Sequence, residues 1–208
     1  MTTHPQVGSN SGAISAAAAD TLFRDAHTAY SFTDEPVSDE LLAEIYDLVR
    51  HAPTAMNSQP LRVVFIRSTE AKARLLPCLA EGNRAKSESA PVVAILAADT
   101  DFHEKLPQLL PMNPDARATF AGDDNAARRE QHARFNATLQ VGYFILAVRA
   151  VGLDAGPMAG FNKAAVDEEF FAGTPLRSVL VVNIGHVAEG GNFPRKAHVP
   201  FEDAVTVL

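Results

Sequence analysis

"APTAMNSQPLRVVFI", residues 52–66, is the junction whose reading decides the rest of the chain. A run with helical periodicity enters it and a β-branched strand leaves it, with Pro53, Thr54, Asn57, Ser58, Gln59 and Pro60 between. Pro53 ends the incoming helix, because the residue before a proline is pushed out of the α region. Turns of this kind need only about two to five residues. The surplus of small and polar positions leaves two readings: a polar loop whose Asn and Thr cap a helix end, or a loop that binds something.

Upstream, SDELLAEIYDLVRHA (38–52) carries Leu41, Leu42, Ile45, Leu48 and Val49 at helical spacing, with Ser38 as N-cap. Downstream, Arg62 to Ile66 reads as a short strand and TEAKARLLPCLAEG (69–82) as a helix containing a proline. APVVAILAAD (90–99) is apolar throughout, as expected of a strand covered on both faces. Residues 100–127 lack periodicity, which inside a domain means a lid, a binding loop or disorder. The longest helix is expected from about Ala126 to Val151. It is apolar nearly all round after Leu139, so it belongs in the centre or at a subunit interface. A helix over 164–171 and a strand over 177–187 follow. With no repeat or composition break, the expected organisation is a mobile leader (1–19) and one α+β domain (20–208).

At 208 residues with 47% apolar and 21% charged residues, the chain reads as globular. A net charge of -7 argues against nucleic acid or an anionic membrane surface as partner, since either wants a concentrated basic face. The start lacks the basic and leucine-rich regions of a secretory signal. The apolar charge-free stretch from Phe135 to Val148 is shorter than the roughly 20 residues that cross a bilayer. Cys78 has no second cysteine to pair with, which fits a reducing compartment. The expected location is the cytoplasm.

Several chemistries lose their footing. There is no G-x-G-x-x-G, no G-K-[ST], no G-x-S-x-G and no H-E-x-x-H. The seven histidines fall at no metal-ligand spacing with cysteine or carboxylate, so no metal is expected.

Three blocks carry a resemblance: "FTDEPVSDELLAEIYDLVRHAPTAMNSQP" (32–60), "GNRAKSESAPVVAIL" (82–96) and "AVGLDAGPMAGF" (150–161). In order and spacing they resemble the nitroreductase family of FMN-dependent NAD(P)H oxidoreductases. The GPM-x-GF pattern with EEFF (168–171) looks most like the malonic semialdehyde reductase branch. The resemblance implies a nitroreductase-like α+β fold, with a central, mostly antiparallel sheet flanked by helices, in an intertwined homodimer holding two FMN molecules at shared clefts.

It also implies roles. Thr54, Ala55 and Asn57 reach the partner subunit's FMN. Asn83 meets the flavin edge, and Lys86 supports the negative charge of the reduced ring, the one catalytic side chain. Pro157, Met158, Ala159 and Gly160 form a tight segment whose backbone amides point at the ring. On local grounds alone, Asn83 and Lys86 also read as a solvated helix end and Met158 as core. At the phosphate end the family's arginines are replaced by His27, Thr28 and Tyr30, with Lys196 and His198 near the C-terminus. Each histidine alone also reads as an ordinary surface residue. The substitution predicts looser FMN binding that tightens as pH falls, because histidine gains charge below neutrality.

The implied reaction is ping-pong hydride transfer from NADH or NADPH through flavin N5 to a small acceptor. An aldehyde such as malonic semialdehyde fits the branch; nitroaromatics and quinones fit the wider family. The competing readings are a non-catalytic flavin-binding or flavin-storage dimer and a flavin-free regulatory dimer.

Overall fold

The computed structural model of the protein describes residues 12–208. Its helices are α1 (Ala16–Ala19), α2 (Asp39–Val49), α3 (Thr69–Leu75), α4 (Glu81–Ser89), α5 (Leu106–Leu109), α6 (Ala126–Ala150), α7 (Lys163–Phe171) and α8 (Phe201–Ala204). Its strands are β1 (Leu61–Ile66), β2 (Val92–Asp99), β3 (Asp154–Met158) and β4 (Leu176–Gly185). They form one sheet in the order β1-β2-β4-β3, with every pairing antiparallel. Part of the expected leader, residues 1–11, lies outside the described residues; Ala16–Ala19 is helical and capped by Ser15.

α2 follows its sequence cues. The Ser38 hydroxyl accepts from the Leu41 amide, and Leu42, Ile45 and Val49 turn inward. Burying each of these side chains stabilises the fold by about 1.5–3 kcal/mol. Ile45→Ala, at a fully buried position, is expected to cost about 2–5 kcal/mol.

β2 explains its own lack of alternation. Val92, Ala94, Leu96 and Ala98 pack on one side with Ile45 and Phe144, while Val93, Ile95 and Ala97 pack on the other with Leu75, Val166 and Phe171. Successive strand residues point to opposite faces, so a strand covered twice must be apolar at every position.

The structure corrects three expectations. The helix expected over 69–82 is broken: α3 ends at Leu75, a 3-10 turn spans Leu76–Cys78, and α4 starts afresh at Glu81. Pro77 has no N–H to continue the ladder. Disorder is ruled out for much of 100–127. Phe102, Leu106, Ala116 and Phe120 are buried, and Phe102 meets Phe120 edge-on at 5.1 Å. Aromatic anchors hold this segment where periodicity is lacking. Finally, Asp154–Met158 is a strand that was not foreseen. Its Gly156 and Pro157 are poor strand formers, and the sheet tolerates them because β3 is an edge.

α6 lies against the sheet through Ala133, Ala137, Val141, Phe144, Ala147 and Val148. Its opposite side exposes Phe135 (64%), Leu139 (43%) and Tyr143 (43%). Among the described residues, no helix is long and apolar enough to cross a membrane.

Candidate functional site

The turn leading into α4 docks on the chain that leaves β3. The Gly160 carbonyl accepts from the Ala80 amide at 3.0 Å and from Asn83 Nδ2 at 2.8 Å. Leu79 and Phe161 form an isolated antiparallel bridge, and the Asn162 amide donates to the Cys78 carbonyl. A side chain at 160 would disturb this contact, since a Cβ there falls 2.8 Å from Asn83 Nδ2. Ala159 and Gly160 are exposed, and among the described residues their N–H groups donate to nothing. Met158 is core: its sulfur accepts from Ser87 Oγ at 3.8 Å and from Asn183 Nδ2 at 3.9 Å.

One turn along α4, on the same face, Lys86 sets its ammonium 4.8 Å from the Tyr30 ring centroid. Partial burial lowers its pKa. The Lys72 ammonium donates to the Glu88 and Ala90 carbonyls and so anchors the C-terminal end of α4. Tyr30 in turn meets Phe193 edge-on at 4.4 Å. The neighbouring Ala29 amide donates to the Ala155 carbonyl on β3. This close approach requires Gly156, where a Cβ would fall 2.7 Å from the Ala29 carbonyl oxygen.

Beyond Tyr30 opens a cavity of about 310 Å³. His27, Thr28, Tyr30, Lys196 and His198 all line it, joined by Arg195. No carboxylate is among its lining residues, so the chemistry it favours is binding of an anion. The Arg195 guanidinium is held by the Arg24 and Ala26 carbonyls.

The 53–60 loop takes its partners elsewhere. The Ala55 amide donates to Asn136 Oδ1 at 2.7 Å, Asn57 Nδ2 to the Leu109 carbonyl at 2.9 Å, and the Gln59 amide to Thr54 Oγ1 at 3.2 Å. Met56, Asn57 and Gln59 sit in the left-handed region at φ 60°, 50° and 41°. Ala55 and Asn57 remain exposed. Among the described residues, no hydrogen bond joins this loop to α4 or to 158–160. The structure therefore assembles Asn83, Lys86, 157–160 and the 27–30/196–198 cluster on one chain, and keeps Thr54, Ala55 and Asn57 apart from them.

Sequence reading missed several participants. Phe193 was visible only as part of a tail, whereas Arg195 stood in the sequence beside Lys196 as a cation near the phosphate end. His132, Asn136 and Gln140 were not singled out, and only Gln140 falls in the part of α6 expected to be apolar nearly all round; their spacing of four was the available signal.

A model of the family described as "Nitroreductase family" matches residues 24–186. A Streptomyces coelicolor protein carrying the name NADH dehydrogenase/NAD(P)H nitroreductase is 55% identical over 192 residues, which is 92% of this chain and 94% of that protein. Among solved structures, a Bacillus subtilis nitroreductase aligns with a TM-score of 0.81 at 22% identity, covering 90% of this chain and 97% of its own. A nitroreductase from Exiguobacterium sibiricum, solved in complex with FMN, aligns with a TM-score of 0.78 at 20% identity, covering 90% and 95%. With the family pattern spread over three blocks and the matching fold, this chain belongs to the nitroreductase family.

Proposed function

We propose that the protein is an FMN-dependent oxidoreductase that uses NADH or NADPH to reduce a small acceptor, as a homodimer with two shared sites. The observation that carries this reading is one continuous path of matching chemistry. Exposed amides at Ala159 and Gly160 lie beside the Asn83 contact, Lys86 lies one turn away, and Tyr30 leads from Lys86 into the cationic cavity. A flavin mononucleotide has the same order of needs: donors at the ring edge, a cation near the charge of the reduced ring, and cations at the phosphate. Relatives named NAD(P)H nitroreductase and a structural neighbour holding FMN support it.

FMN, when bound, supplies a hydride carrier that NAD(P)H reduces and the acceptor reoxidises in a ping-pong cycle. The chain's own work is placement and charge. His27, Thr28, Lys196 and His198, which line the cavity, would hold the phosphate, with Arg195 alongside. Asn83 has one N–H committed to Gly160, which leaves its oxygen and second N–H for the ring. Lys86 stabilises negative charge without transferring a proton. Ala55 and Asn57 are exposed and Thr54 is half-buried, and together they are the loop surface offered to the second subunit, for which the Phe135, Leu139 and Tyr143 stripe offers the contact surface. No side chain needs to act as nucleophile. The proposed acceptor is a small aldehyde of the malonic semialdehyde kind, supported by GPMAGF (156–161) and EEFF; nitroaromatics and quinones are the broader class. The lone Cys78, with no second cysteine to pair with, supports a reducing, cytoplasmic setting.

The test is the visible spectrum of the purified protein with and without NADPH under anaerobic conditions. A yellow protein that bleaches supports the enzyme reading. One that binds FMN and stays yellow with either nicotinamide is a storage dimer, and one that ignores added FMN sinks the flavin reading altogether.

A further inference from the structure

His132, Asn136 and Gln140 stand four residues apart on one face of α6, and all three bond to chain segment 55–61. Gln140, 3% exposed, accepts from the Leu61 amide at 3.0 Å and so anchors the start of β1. Asn136, 1% exposed, accepts from the Ala55 amide at 2.7 Å and donates to the His132 carbonyl at 2.9 Å. His132 Nε2 lies 3.2 Å from Ser58 Oγ, with its ring stacked on Phe102 at 4.7 Å.

A buried amide on a core-facing helix is costly unless it is satisfied, so its presence among Ala133, Ala137 and Val141 calls for a reason. The loop supplies one. Three consecutive or nearly consecutive non-glycine residues are left-handed at Met56, Asn57 and Gln59, a conformation that persists only where surrounding structure dictates it. The Asn136 bond falls at Ala55, immediately before that run.

We propose that Asn136 is a positioning residue: by holding the Ala55 amide it fixes the left-handed loop, and so the surface that Thr54, Ala55 and Asn57 present to the flavin of the second subunit. This rests on the flavin reading above. Asn136 itself touches neither flavin nor substrate; it acts through the loop.

The experiment uses purified homodimer stripped of FMN. It reads FMN affinity by fluorescence quenching, the spectrum of the bound flavin, thermal melting, and hydrogen exchange over 54–59 in the apo protein. Asn136→Ala is expected to weaken FMN binding about tenfold, shift the flavin spectrum and speed exchange in the loop. Asn136→Ser removes the same acceptor, since its short hydroxyl bonds back to the His132 carbonyl, and serves if the alanine variant does not fold. Gln140→Ala loses a comparable buried bond and melts earlier, yet leaves FMN affinity within about twofold. Asn136 variants that bind FMN as wild type does, or Gln140→Ala weakening FMN equally, overturn the positioning role. Wild-type protein that takes up no FMN overturns the flavin reading itself, and this role with it.

Discussion

Asn83 Nδ2 donates to the Gly160 carbonyl oxygen at 2.8 Å, joining two segments 77 residues apart in the chain. Gly160 lacks the Cβ that would crowd this contact. The bond sets where the exposed amides of Ala159 and Gly160 point relative to α4. Asn83→Ala is therefore expected to raise the FMN dissociation constant about tenfold while costing only about 1 kcal/mol of stability. Gly160→Ala is expected to do the same by displacing the amide. FMN titration of the stripped protein beside a thermal melt checks this; unchanged affinity in both variants would separate the contact from flavin binding.

Lys86 is partly desolvated, with Tyr30 as its neighbour. In the proposed function its charge would act on the reduced ring, so Lys86→Met should slow anaerobic bleaching by NADPH about 10- to 100-fold, and Lys86→Arg less. Stopped-flow absorbance gives the rates, and identical rates in wild type and Lys86→Met would remove Lys86 from the chemistry.

His27 and His198 line the cationic cavity at positions where the family resemblance implies arginines. Arginine pairs with phosphate through two parallel N–H donors, so replacing both histidines with arginine should lower the FMN dissociation constant about tenfold, and replacing both with alanine should raise it. FMN titration of the stripped protein checks this; equal affinities in all three proteins would exclude the histidines as phosphate ligands.

Burial lowers the pKa of His132, helped by the nearby Arg128 charge, while a hydrogen bond to the Ala55 backbone works the other way. The unfolded chain then takes up the proton before the folded one. His132 contributes its full stability above about pH 6.5, the free imidazole value, and loses it as pH drops through the lower folded value. Melting temperature should fall more between pH 7.5 and 5.5 in wild type than in His132→Phe, which keeps the stacked ring without a titrating group. Parallel slopes would show that His132 is not involved.

Phe135, Leu139 and Tyr143 lie four apart on the exposed side of α6. Leu139→Arg places a charge in the middle of this stripe and should yield monomer by sedimentation at micromolar concentration, with loss of bound FMN. A dimer that survives both Leu139→Arg and Phe135→Asp would place the interface elsewhere.

Much of the fold was legible from the sequence where local chemistry is decisive. Ser38 with its inward Leu42, Ile45 and Val49 marks α2 because capping and periodicity are short-range. β2 shows as an unbroken apolar run because both its faces are covered. The blocks around Asn57, Asn83 and Gly160 were readable for the same reason, each being contiguous. β3 was not readable, since its Gly156 and Pro157 suit a strand only at a sheet edge, and edges are a property of the whole sheet. Nor was the packing of 100–127, which rests on Phe102 and Phe120 rather than on a repeat.

The sequence by itself determined which short segments carry polar, basic or amide-rich chemistry, because those depend on neighbours a few residues away. Only the tertiary structure decided which segments meet: Asn83 with Gly160, Lys86 with Tyr30, and Ala55 with Asn136 across 81 residues. Such pairings are set by how helices and strands close over a shared core. No local pattern encodes the direction in which a buried amide will find its partner.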